Sequence, residues 1–178
     1  MRLPVTALLL VLLGVWLHAP LFHGGLLGAS GTDVYRAVWG FDHQARGLPL
    51  PFWTDRVGFP AGEKLVILPF FSSLLGAPLH LIFGAWTGYN LWMLSLLALS
   101  GIATAWWVEE VSKSPSAGLM AGVAMVVQPS VLLALTDGTP EHVAFWALPA
   151  CLCALWITSR SPLRRWPIIA GGFATIVA

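Results

Sequence analysis

Charge is what this sequence has least of. Of its 178 residues only 10% are Asp, Glu, Lys or Arg, against 57% hydrophobic residues. A soluble domain carries about 25% charged residues because its surface must face water. A chain this poor in charge has too little polar surface for water, so the composition excludes an ordinary soluble globule and points to lipid as the solvent. The net charge of +1 gives no basic excess for nucleic acid and no acidic one for a cationic partner. Cysteine is nearly absent too. Cys151 and Cys153 lie two apart in an apolar stretch, which sends them to different sides of a helix and reads as small core residues, not a disulfide or metal pair. There is no Walker loop, dinucleotide fingerprint, HExxH or GxSxG.

What the sequence has instead is long apolar runs and ten tryptophans, a side chain that favours membrane interfaces. Arg2 is followed by Leu3 to Phe22, which has no acid, Lys or Arg and reads as a first span; a cleavable signal peptide is the competing reading, disfavoured by the length of the run and the lack of a small-x-small site. Residues 23–64 differ in character, with four acids, four Lys or Arg and eight glycines. They read as a folded loop outside the bilayer, with a short helix over Asp33–Arg46. Residues 65–86 are apolar but broken by Pro69, Gly76 and Pro78. Spans follow near 90–108, 117–135 and 143–158, the last two separated by the turn Thr136–His142, which holds two acids and no Lys or Arg. The run 166–178 reads as the opening of a further span, about 13 residues against the roughly 20 a crossing needs. The chain therefore reads as a fragment of a longer polytopic protein.

Orientation depends on residues 65–86. If they cross, Arg160, Arg164 and Arg165 fall opposite Arg2. If they lie in the interface, Arg2, Lys113, Arg160, Arg164 and Arg165 share one face, as the positive-inside bias favours. The second arrangement is preferred. It puts the N-terminus in the cytoplasm, and the polar loop and the Thr136–His142 turn together on the opposite side. The expected fold is all-α: a polytopic transmembrane helical bundle, one module over 1–178, with a long first extracytoplasmic loop containing short juxtamembrane helices.

Two clusters could carry chemistry. Asp33, in Gly31-Thr32-Asp33-Val34-Tyr35, is a carboxylate placed where the chain leaves the membrane. It suits a general base toward a hydroxyl or a divalent metal ligand, and equally the N-cap of a helix starting near Val34. Asp137 and Glu141, in Asp137-Gly138-Thr139-Pro140-Glu141-His142, could converge on the same cleft, with His142 as a phosphate contact; a solvated turn in which Glu141 caps the next helix is the plainer reading. Arg36 and Arg46, with Arg56 and Lys64, could meet a lipid-linked phosphate above the headgroups or balance the loop's acids. Asp42-His43 and Asp55-Arg56 read as loop-stabilising charges. Gly118-x-x-x-Gly122 could support close helix packing.

The order of these features resembles the bacterial GT-C class of polytopic glycosyltransferases, which use polyprenyl-phosphate sugars. The resemblance runs through the first span, Gly31-Thr32-Asp33, Trp39, the Arg46-Gly47-Leu48-Pro49 turn, Gly58-Phe59-Pro60-Ala61-Gly62, Gly88-Tyr89-Asn90-Leu91 and the polar turn Gly138–His142. It implies an inner (plasma) membrane, cell-envelope enzyme with a lipid-linked sugar donor and an extracytoplasmic acceptor, Asp33 as the loop's acid and Asp137 or Glu141 as a second. The class uses more membrane helices than this chain offers, so the rest of the same chain would complete the donor groove. A non-catalytic polytopic protein, such as a flippase-like or assembly subunit, is the alternative. A transporter is disfavoured because no acid, Lys or Arg lies mid-span.

Overall fold

In the computed structural model, residues 3–19, 22–23, 25–28, 34–46, 53–54, 61, 63–64 and 70–160 are described. Asp33, Arg56, the glycine-proline segment 58–60 and the whole of 166–178 lie outside them. The described chain is predominantly helical, with two short hairpins in the polar loop.

α1, Leu3–His18, is an unbroken apolar run whose Pro4 sits in the first turn, where a missing N–H leaves no bond unmade. It ends short of Phe22, because Phe22–His23 (β1) pairs with Leu26–Leu27 (β2) across the glycine pair 24–25. α2, Val34–Arg46, is the loop's own helix; Val34, Val38 and Phe41 recur at helical spacing and are buried. A second two-residue hairpin, Trp53–Thr54 (β3) with Glu63–Lys64 (β4), follows. The broken apolar stretch contains α3, Phe70–Phe83, and ends one residue earlier than a continuous helix would: Gly84 adopts φ 81°, and Ala85 already opens α4.

α4, Ala85–Ser112, is the central helix, 28 residues long. It closes on Lys113 in the left-handed conformation, whose N–H donates to the Glu109 carbonyl. Ser114 then caps α5, Pro115–Val127. α5 passes into α6, Pro129–Asp137, through Gln128 at φ −64°, ψ 141°, the extended geometry that a following proline imposes. A 3-10 turn, Pro140–His142, leads to α7, Ala147–Arg160. The final described helix therefore starts at Ala147 and not at Val143, since Thr139 to Val143 bond as tight turns. Two of these units, Ala85–Ser112 and Pro115–Asp137, are long and apolar enough to cross a membrane.

Close contacts fix the helix directions. Gly14 of α1 faces Leu97 and Val126, and Leu10, one turn earlier, reaches Gly101 and Gly122. α1 therefore runs antiparallel to α4 and parallel to α5. Gly118 lies against Ala105 and Glu109, and Gly122 against Gly101, so α4 and α5 form an antiparallel pair. α7 follows α4: Ser100 donates to the Val143 carbonyl at 2.9 Å, and further along Trp107 meets Trp156 edge to face at 6.2 Å. Arg160 stacks over Trp156, at the same end as Lys113. The small residues in the Gly118-x-x-x-Gly122 pattern are therefore what the α4–α5 seam requires. A methyl on Gly118 would sit 2.6 Å from the Ala105 carbonyl oxygen.

Candidate functional site

The start of α4 organises the opposite end. The Leu27 N–H donates to Asn90 Oδ1 at 2.7 Å, and Asn90 Nδ2 donates to the Gly25 carbonyl at 2.6 Å. One amide side chain thus satisfies a donor and an acceptor of the β1–β2 hairpin. It is selective for Asn, whose two ends offer opposite polarity. In Gly88-Tyr89-Asn90-Leu91, Gly88 admits the backbone of His80, because a methyl there would fall 2.6 Å from His80 Cα. Tyr89 is fully buried in the core. This motif joins the loop to the bundle.

α2 is seated on that platform at its start and again two turns on. At its N-terminal end Val34 lies in a cradle of two glycines. A methyl on Gly28 would come within 2.9 Å of Val34, and one on Gly138 would overlap the Val34 backbone. Two turns on, Phe41 stacks on Trp92 with centroids 4.8 Å apart and planes 6° from parallel. Gly76 leaves room for that pair, since a methyl there would meet both rings. Beside Phe41, His80 Nε2 donates to Asp42 Oδ1 at 2.8 Å, with His80 97% buried and its ring edge-on to Phe41.

Of the residues that the sequence singles out, Asp137 is the last residue of α6, half-buried, immediately before the Gly138 that touches Val34. Its carboxylate makes no hydrogen bond or ion pair among the described residues. Gly138 takes the left-handed conformation, φ 72°, and its N–H and that of Thr139 both go to the Ala134 carbonyl, which closes α6 there. His142 is exposed at the end of the 3-10 turn. Glu141 shares that turn, and α7 begins well beyond it, so the turn is no N-cap for that helix. Arg36 lies exposed on the first turn of α2 and Arg46 ends it. Asp33 precedes Val34 and is outside the described residues. Among the described residues no group of three His, Cys, Asp or Glu side chains is arranged to hold a metal.

Asp42 is corrected most. The sequence reads it as an ordinary loop charge beside His43, whereas its partner is His80, on a different helix. The available signal was His80 itself, the one titratable side chain in α3. His43 stacks on Trp39 instead, centroids 5.3 Å apart. Sequence reasoning also missed Ser100, fully buried and bonded to the carbonyls of Leu96 and Val143.

Between α4 and the α5–α6 break, on the side of α7, lies a groove of about 290 Å³ lined by Thr104, Met125, Gln128, Phe145, Leu148 and Leu152, among others. Its lining is mainly apolar. Gln128, which separates α5 from α6, and Thr104 are polar points in it. Compared with family models, with curated proteins and with solved structures, the chain finds no match.

Proposed function

We propose that this chain is membrane-embedded sequence of a GT-C-like glycosyltransferase that moves a sugar from a lipid-linked donor to an extracytoplasmic acceptor. α1, α4, α5–α6 and α7 cross the inner membrane, the N-terminus is cytoplasmic, and α3 stays on the loop side. The observation that carries the reading is the contact of Val34 with Gly138. Each follows a candidate carboxylate, Asp33 and Asp137, so two loops far apart in sequence meet at one end of the bundle. The antiparallel course of α1 and α4 supports the orientation, because a chain that leaves through α1 and re-enters through α4 keeps everything between them on one side. The apolar groove beside Gln128 suits a polyprenyl or acyl chain.

In this reading Asp33 accepts the proton of the acceptor hydroxyl as that oxygen attacks the sugar's anomeric carbon, and the lipid phosphate leaves. Asp137 or Glu141 assists or holds a divalent metal, while Arg36, Arg46 and His142 steady the departing phosphate. The test is Asp33→Asn and Asp137→Asn in the full-length protein, assayed in membranes for sugar transfer from polyprenyl-phosphate sugar. Loss of a general base lowers the rate by about 10²–10⁴-fold. Unchanged transfer in Asp33→Asn would refute catalysis through this loop and leave a non-catalytic membrane subunit.

A further inference from the structure

The bond between His80 and Asp42 joins the loop helix to the helix that precedes the central span. His80 is 97% buried, and its Nδ1 has no partner among the described residues. A buried polar ring costs stability unless it is bonded, so its one bond, to Asp42 at 2.8 Å, is held by strong local constraint. The apolar stripe Val34, Val38, Phe41 presses α2 onto the bundle, but apolar burial has no direction and tolerates sliding and rolling. A hydrogen bond is directional. Asp42 lies at the edge of that stripe, two turns from Val34, where a tangential anchor has most effect on rotation of the helix about its axis.

We infer that His80 is a positioning residue: through Asp42 it fixes the rotation of α2 and so holds Val34 in the Gly28–Gly138 cradle beside Asp137. This deepens the proposed function, since it concerns how the same site is aligned, but the geometry stands whether or not the site transfers sugar. Val34 tolerates little movement there, because neither cradle glycine has room even for a methyl group.

The test uses the full chain in lipid nanodiscs with Cys151 and Cys153 replaced by serine. Spin labels go on exposed positions of α2 and α6, Tyr35→Cys with Leu133→Cys, and a control pair goes on α4 and α7, Leu99→Cys with Leu155→Cys. His80→Leu keeps an apolar side chain in the site and removes the bond. It is expected to broaden the α2–α6 distance distribution and shift it by about 5 Å, the displacement of a side chain when a helix about 10 Å across turns by roughly 60°. The control pair is expected to stay unchanged. Asp42→Asn, whose amide oxygen still accepts the Nε2 proton, is expected to keep the parent distribution. An unchanged α2–α6 distribution in His80→Leu overturns the inference, because the apolar stripe then suffices. Broadening of both pairs also overturns it, because His80 then supports the whole bundle and not α2 in particular. Failure of Asp33→Asn to affect transfer would overturn the proposed reaction and leave these distances as they are.

Discussion

At the scale of single residues, two glycines with left-handed backbones separate conformation from space. Gly25 has φ 84° and open room around its Cα, whereas Gly138 has φ 72° and the backbone of Val34 against it. Gly25→Ala therefore meets only the conformational cost of that region, about 1 kcal/mol. Gly138→Ala adds overpacking and is expected to destabilise by about 3 kcal/mol in sum. Thermal unfolding of the two variants in the same detergent checks this: Gly138→Ala melts well below Gly25→Ala, and equal melting temperatures would mean that Val34 moves away without cost. Asn90 shows what the sequence could and could not reveal at this scale. Its place at the head of a span was legible, but its partners, 63 and 65 residues back, were not, because nothing in local pattern encodes which distant carbonyl an amide will meet. Asp42 is the mirror case. A charge beside a histidine reads as a local pair, and only the packing of α2 against α3 brings His80 to it.

At the scale of elements, the helical period was readable and the breaker residues misled. The helix over residues 33–46 appears as Val34–Arg46, whereas α3 runs as one helix through Gly76 and Pro78 and the chain breaks instead at Gly84. The Gln128–Pro129 break was written in the sequence yet passed over within a run that reads as one span, since apolar content dominates such a reading and a membrane helix tolerates proline. The α4–α5 seam gives a prediction at this scale. Leu at Gly118 or Gly122 would drive a side chain into Ala105, Glu109 or Gly101, so either substitution separates the two helices. Disulfide formation between cysteines introduced at facing positions of α4 and α5 should fall sharply in Gly118→Leu and Gly122→Leu, and much less in Ala124→Leu, whose position on α5 is exposed.

For the whole molecule, the expected outcome concerns sidedness. With the native cysteines replaced, a cysteine at exposed Lys113 should react with a membrane-impermeant maleimide only after the cells are opened, and one at exposed His142 in intact spheroplasts. The reverse pattern would invert the orientation and separate the loop from an extracytoplasmic acceptor. Composition pointed to helices long and apolar enough to cross a membrane, and two such helices are present; the distribution of Lys and Arg gave the expected sidedness that the labelling tests. The meeting of Val34 with Gly138 was not readable, because it depends on α1, α4 and α6 together and no short stretch of sequence contains that information.

The anchoring of the β1–β2 hairpin by Asn90 has a consequence for biosynthesis. Gly25 leaves the ribosome 65 residues ahead of the side chain that will receive its carbonyl. At about 5–20 residues per second, roughly 3 to 13 seconds of synthesis separate the two. During that interval the hairpin's backbone groups must find other partners, such as water, and α2 has no α4 to rest on. The polar loop therefore takes its final form only when the central helix arrives, and its exposure to proteases or chaperones is set by the timing of translation and not by its own sequence.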